Sequence, residues 1–264
     1  MIKQITGNEP KRERKIKMNI LNNDNNERIL NLNEFRRSPS PGVEASRPKY
    51  QITTPEGEIF FKFQLTDNEI CAEIVAYQLA KNLNIPVAKT LLSKYKENIG
   101  IASYDVGVYE EPDDSLSYSI KDFLKTEGFI QMCLFDYLIM NEDRHAGNWG
   151  IINNKVAPLF DHNQCFGGDA VNYGYFDADH FMYVVSSAFY VENESQNRHD
   201  DILKYLMQYN AGEIKFFMSK LDMLPELKNP LLEELYNENF NRVKGLYEKR
   251  ISYMIKKVGA FNER

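Results

Sequence analysis

One stretch constrains the chain more than any other: Phe135-Asp-Tyr-Leu-Ile-Met-Asn-Glu-Asp-Arg-His-Ala-Gly-Asn-Trp-Gly-Ile-Ile152, followed by Val156-Ala-Pro-Leu-Phe-Asp161. Ile130 to Met140 is apolar on nearly every face, which predicts a buried helix. That helix runs out into Asn141, Asp143, Arg144, His145 and Asn148, and then into a strand-like Trp149-Gly-Ile-Ile152. Asn153-Asn154 is a turn signal, and Lys155 to Phe160 reads as a second strand that delivers Asp161 at its end. Such a hairpin gathers Asp143, Asn148 and Asp161 on a short loop beside a rigid helix. Two carboxylates and an amide oxygen are hard oxygen donors of the kind magnesium takes alongside phosphate. The chemistry this points to is phosphoryl transfer, with one acid to accept a hydroxyl proton and an Asn and an Asp for the metal.

The order Asn-x-Asp-Arg-His-x-x-Asn, then a strand and a lone Asp, resembles the HipA-like bacterial serine/threonine kinases. The phosphoinositide 3- and 4-kinases share its Asp-Arg-His-x-x-Asn core. Ala157-Pro-Leu-Phe-Asp161 is more similar to the HipA group, where a short apolar-Pro segment precedes the metal-binding Asp. By position, the resemblance makes Asp143 the catalytic base and gives magnesium to Asn148 and Asp161. Arg144 and His145 are expected to support the loop by hydrogen bonding.

The preceding half supplies the rest of such a site. Tyr50-Gln-Ile-Thr53 and Glu58-Ile-Phe-Phe-Lys-Phe63 read as strands joined through Pro55-Glu-Gly57. Thr66-Asp-Asn-Glu69 is a capping box that opens a helix to about Asn82, with Ile70, Cys71, Ile74, Val75, Tyr77 and Leu79 on its apolar side. Glu69 therefore has a structural task. Glu73, beside that apolar face, needs a cation, and Lys62 is the candidate. The strand-Lys, helix-Glu order resembles the kinase pair in which the glutamate orients a lysine onto nucleotide phosphates. The alternative is a surface Lys and a surface Glu with no mutual contact. Ile85 to Leu92 and Gly100 to Val106 are two more strands, completing an antiparallel sheet of about five strands with one helix packed on it. On the kinase resemblance, Ala102 to Val106, with Ser103, enters the hinge that binds adenine. Ser38-Pro-Ser-Pro-Gly42 and Ser46-Arg-Pro-Lys49 are similar to the phosphate loop of the HipA group. That implies phosphate contact by Lys49 and autophosphorylation among Ser38, Ser40 and Ser46; the plain alternative is a proline-rich linker.

The expected fold class is α+β and bilobal, like a protein kinase. Residues 1–33 form a basic arm, with one short strand at Ile29 to Leu32. A small antiparallel-sheet lobe with one helix spans 34–107, and a mainly helical lobe spans 108–264. Helices are expected at about 177–191, 200–209, 211–221 and 230–258, the last capped by Asn229 with Pro230 at its first position. Its Leu232, Leu235, Tyr236, Val243, Leu246, Ile251, Met254 and Ile255 are expected in the core.

Net charge is −6, yet residues 1–49 hold 11 Lys and Arg against 6 Asp and Glu. This basic head reads first as a solvated tail, with contact to nucleic acid or an acidic partner as the alternative; it contains no DNA-reading unit. No apolar run approaches the ~18 residues of a membrane span. The N-terminus lacks a signal-peptide core, and Cys71, Cys133 and Cys165 form no CxxC pair, so a cytoplasmic protein without structural zinc is expected. ATP and magnesium are the expected cofactors and a protein the expected acceptor. A phosphoinositide or small-molecule kinase, or a nucleotide-binding pseudokinase with a regulatory role, is the alternative. Asp161 is followed by His162-Asn163 where kinases carry Phe-Gly, so no switch at that position is carried over. The larger N-terminal extension of full HipA toxins is also missing, and a toxin role is not assigned.

Overall fold

The computed structural model describes residues 29–38, 48–111, 123–141, 143–144, 146–166 and 199–262. The basic arm up to residue 28, Ser40, Ser46, His145 and the helix expected at 177–191 lie outside the described residues. The first half is a six-stranded sheet: β1 (Leu30–Asn31), β2 (Arg36–Ser38), β3 (Lys49–Thr54), β4 (Gly57–Phe63), β5 (Thr90–Tyr95) and β6 (Asn98–Tyr104), in the spatial order β1-β5-β6-β4-β3-β2. Helix α1 (Asp67–Asn82) interrupts it between β4 and β5. The second half holds α2 (Phe129–Ile139), a short hairpin of β7 (Ile151–Ile152) and β8 (Lys155–Val156), α3 (His199–Leu221) and α4 (Pro230–Asn262). The architecture is α+β, with a sheet-rich half and a helical half.

The sheet is antiparallel except at one edge, where β1 runs parallel to β5, pairing Leu30 with Ser93 and Asn31 with Lys94. The purely antiparallel expectation is corrected there, and chain length supplies the reason. β1 and β2 occupy opposite edges, yet only residues 32–35 join them. Five residue steps reach at most about 17 Å, whereas six flat strands would set the edges about 24 Å apart. The sheet must therefore curl, and the connection crosses its concave side. Leu32 is fully buried in that hollow among Ile52, Ile59, Phe61, Phe63, Tyr95 and Ala102.

The opposite face carries Lys62, Ile101 and Leu92 and meets α1, since residues opposed across antiparallel strands point to the same side. Helix α1 forms where its capping box directs: Thr66 Oγ1 accepts from Glu69 N at 3.2 Å and Glu69 Oε2 accepts from Thr66 N at 2.7 Å. Its buried side chains join one continuous core with α2, α3 and α4. α1 is thus packed as much into the helical half as onto the sheet.

Strand β5 begins at Thr90, later than the Ile85 expected. Residues 85–89 instead bind the helical half: Ala88 N donates to Leu159 O and Leu159 N donates to Pro86 O. The hairpin is correspondingly shorter than expected: Ala157 N still donates to Gly150 O, but the next donor on that side, Leu159 N, is taken by Pro86 O. Its turn is as expected, with Asn153 and Asn154 both at positive φ.

The helices expected at 200–209 and 211–221 are the two arms of α3, divided at non-helical Asn210, whose Oδ1 caps the second arm through Glu213 N. Asn229 caps α4 by accepting from Leu232 N at 2.9 Å. Tyr236 is non-helical within α4; Leu232, Val243 and Met254 are buried as expected, Leu235 and Ile255 are exposed, and Phe240 and Tyr247 join the core. None of the helices among the described residues is long and apolar enough to cross a membrane.

Gly100 in β6 permits the close approach of the strand that carries Lys62. A Cβ there would lie 2.0 Å from the Lys62 carbonyl oxygen. Gly100→Ala is expected to destabilise the protein by about 3 kcal/mol through overpacking against backbone, measured by urea denaturation.

Candidate active site

A buried ion pair assembles the site. Arg144, fully buried, donates through Nε to Asp136 Oδ2 at 2.9 Å and through Nη2 to Asp136 Oδ1 at 3.0 Å. Its Nη1 reaches two backbone carbonyls, Asn148 O at 2.5 Å and Phe160 O at 2.9 Å. One guanidinium therefore ties α2, the loop before β7 and the segment entering Asp161 to a single point. The fork of donors in arginine suits this task where a lysine would not. Burial alone would favour a neutral Arg144, but Asp136 outweighs it and holds the guanidinium charged. Asn141 Nδ2 donates to Asp136 Oδ1 at 2.8 Å, and Asn141 Oδ1 accepts from Asp143 N at 3.1 Å, so the loop is fixed at its start as well.

Asp143 and Asn148 meet across this loop. Asn148 Nδ2 donates to Asp143 O at 2.8 Å and to Asp143 Oδ2 at 3.3 Å. Residues Ala146–Asn148 form one 3₁₀ turn, which aims Asn148 back at Asp143. The amide nitrogen is thereby committed, and Asn148 Oδ1 has no hydrogen-bond partner among the described residues.

Lys62 Nζ lies 2.5 Å from Asp161 Oδ1. Burial depresses the Lys62 ammonium, but Asp161, Glu73 and Asp143 together carry its pKa above the ordinary lysine value. Burial likewise opposes ionisation of Asp161, yet Lys62, with His162 and Arg144, holds that carboxyl below its ordinary range. The direct partner of Lys62 is thus Asp161. Glu73, expected to hold Lys62, acts on it through space and instead accepts from His162 N through Oε2 at 2.8 Å. Lys49 faces Lys62 across β3 and β4, and its Nζ lies 5.7 Å from the Phe60 ring centroid. Its pKa is lowered, first by burial and then by the Lys62 charge, with Asp161 opposing. Ser103, buried on β6, shares the Lys62 face at the position paired with Phe60. Beyond it the chain leaves the sheet, and Tyr109 packs against Phe160 with ring centroids 5.7 Å apart. Gly150 allows this, since a Cβ there would lie 2.1 Å from the Tyr109 ring.

Lys49, Lys62, Asp143, Asn148 and Asp161 are therefore brought together, with Glu73 one step behind Asp161 and Ser103 further along the same sheet face. Ser38 sits on edge strand β2, its hydroxyl 2.9 Å from Thr53 Oγ1. Two features escaped the sequence reading. Asp136 was hidden in an apolar run, although a lone carboxylate in a helix buried on all sides demands a cation. Glu69 holds more than its cap, because Oε1 accepts from Asn163 Nδ2 at 3.2 Å and from Gln164 Nε2 at 3.0 Å.

No cluster of three or more His, Cys, Asp or Glu side chains able to hold a metal forms among the described residues. The donors do fit magnesium, which binds through one or two carboxylates together with substrate phosphates. Asp161 supplies a carboxylate and Asn148 an uncommitted oxygen. The cysteines are free and buried, and burial pushes the Cys71 thiol up to about 12 and raises Cys133 and Cys165 as well, so none of them presents a thiolate at neutral pH.

No family model matches the chain. Among curated proteins, 150 residues are 29% identical to the serine/threonine-protein kinase CtkA of Helicobacter pylori. The chain is homologous to CtkA. The match covers 44% of this chain and spans 46% of the length of CtkA, less than half of that relative. The crystal structure of the proinflammatory kinase CtkA superposes with a TM-score of 0.51 at 20% identity, covering 87% of this chain and 98% of that one. The fold is therefore the kinase-like fold of CtkA. A Shewanella oneidensis HipA, solved with HipB and operator DNA, aligns at a TM-score of 0.42 and 12% identity, over 84% of this chain and 70% of that one.

Two outcomes follow from these ion pairs. Arg144→Ala strands buried Asp136 and is expected to cost about 3–5 kcal/mol in chemical denaturation. The lowered Asp161 pKa means that its contribution to stability is complete above the ordinary carboxylate value and is lost as pH falls through the folded value. The raised Lys62 pKa means that its contribution is complete below the ordinary lysine value and is lost as pH rises through the folded one. The pair is thus constant between about pH 5 and pH 9, and urea midpoints across pH should show Lys62→Met flattening the acid limb of the stability profile.

Proposed function

We propose that this chain is an ATP- and magnesium-dependent protein serine/threonine kinase of the HipA-like kind. The observation that carries the reading is the meeting of Asp143–Asn148 with Lys62–Asp161 at one point of a kinase-like fold. Homology to a serine/threonine-protein kinase over 150 residues supports the same class of reaction.

In this reading Asp143 accepts the proton of the acceptor hydroxyl. Asn148 Oδ1 and Asp161 hold magnesium, which when bound neutralises charge on the transferring phosphate. Lys62 and Lys49, side by side on adjacent strands, receive the nucleotide phosphates, and Lys62 exchanges its contact with Asp161 for them. Ser103 and the residues after it line the approach of the base, with the Tyr109–Phe160 pair nearby. Asn141 and Arg144 hold the loop and take no part in the chemistry.

Autophosphorylation within Ser38–Ser46 belongs to the same reading. Ser38 is the less available acceptor, because it is held in β2 with its hydroxyl against Thr53. Mapping of phosphopeptides after incubation with ATP is expected to find label at Ser40 or Ser46. The unbridged cysteines agree with a cytoplasmic setting.

Incubation with magnesium and γ-labelled ATP, in the presence of a generic protein substrate and phosphoinositides, tests the assignment. Label is expected on protein. Asp143→Ala should lower turnover at least about a hundred-fold while leaving the urea midpoint near that of the parent. Label on lipid would replace the protein-kinase reading, and retained turnover in Asp143→Ala would remove the assigned base.

A further inference from the structure

The two oxygens of the Glu69 carboxylate do separate things. Oε2 closes the capping box by accepting from Thr66 N at 2.7 Å. Oε1 accepts from the side-chain amides of Asn163, at 3.2 Å, and Gln164, at 3.0 Å. A capping box needs only the first contact, and glutamine serves it as well as glutamate. Glu69 is nonetheless fully buried, with its second oxygen turned to a segment more than ninety residues further along the chain. One turn along the same face of α1, Glu73 accepts from His162 N. The first turns of α1 therefore grip three consecutive residues, His162, Asn163 and Gln164, all directly after Asp161.

Asp161 needs such a grip. It lies at φ 61, the left-handed region that non-glycine residues avoid, and that conformation persists only where its surroundings impose it. On its N-terminal side Arg144 Nη1 holds Phe160 O. On its C-terminal side Glu69 and Glu73 hold residues 162–164 to α1, while α2 holds the segment further on, where Phe166 N donates to Ile139 O at 2.8 Å. The helix is itself anchored to the helical half, where Lys220 Nζ donates to Leu83 O, the residue that caps α1, at 2.7 Å.

We propose that Glu69 is a positioning residue for the reaction: it clamps Asn163 and Gln164 to α1 and so fixes the Asp161 carboxylate for magnesium and phosphate. The proposal rests on the kinase reading, in which Asp161 is a metal ligand. In it α1 and the Asp161 segment move as one body, with a cap and a clamp built from one side chain.

The test separates the two oxygens. Asn163→Ala/Gln164→Ala removes the clamp and keeps the capping box; Thr66→Ala removes half of the box and keeps the clamp. Hydrogen exchange of residues 161–166 is followed in the protein without nucleotide, and the magnesium dependence of ATP binding is followed by calorimetry. In the double variant, faster exchange at 161–166 and a magnesium half-saturation raised about ten-fold are expected. Thr66→Ala should lower the Tm and leave both readouts where they are in the parent. Parental exchange and magnesium dependence in the double variant would overturn the proposal, as would an equal shift in Thr66→Ala. Should the double variant fail to fold, Gln164→Ala, at a half-exposed position, reads the same two quantities. A parent that binds no magnesium–ATP would sink the kinase reading, and the exchange measurement, which uses no ligand, would still decide the clamp.

Discussion

The buried Arg144–Asp136 pair is the interaction on which the rest of the site depends. A charge taken out of water is costly unless its partner and its remaining donors are all satisfied. Arg144 meets that condition with two bonds to one carboxylate and bonds to two carbonyls. Those carbonyls belong to Asn148 and Phe160, so satisfying the guanidinium also places the loop that carries Asp143 and the residue that precedes Asp161. Stability and site geometry are thus set by one side chain. The arrangement explains how residues 18 positions apart in sequence can share a site without a disulfide or a long regular element between them.

A second constraint comes from the sheet. Its curl follows from the four residues that cross from one edge to the other, and it turns Lys49 and Lys62 outward from the hydrophobic hollow toward Asp161. Helix α1 closes the arrangement from the side. It belongs to the core of the helical half, yet its acidic residues hold the segment after Asp161. Lys62 rests on Asp161, and the two opposite charges keep each other ionised in a partly buried setting.

Local signals in the chain were sufficient for local structure. The Thr66-to-Glu69 box, the Asn229-Pro230 start, the Asn153-Asn154 turn and the all-apolar run before Met140 each specify backbone geometry within a few residues, and each element formed where its signal stands. The polar cluster from Asn141 to Asn148 was legible for a similar reason, since its spacing alone puts the side chains on one loop. Partners distant in sequence were not legible. The carboxylate that pairs with Lys62 was assigned to Glu73 because both stood in the same half, whereas Asp161 comes from the other. Asp136 was overlooked because an apolar helix reads as core, and only the tertiary fold shows that one of its residues faces a guanidinium.

The sequence by itself determined which segments become helix, strand and turn, and which polar residues gather on the loop after α2, because caps, turn residues and hydrophobic period act over a few positions. Only the tertiary structure decided how these parts meet. The parallel pairing of β1, the start of β5 at Thr90, the Lys62–Asp161 pair and the two-sided use of Glu69 all depend on segments far apart in the chain. Their energies come from burial and from satisfying charges and amides in that burial, and neither exists until the chain has closed on itself.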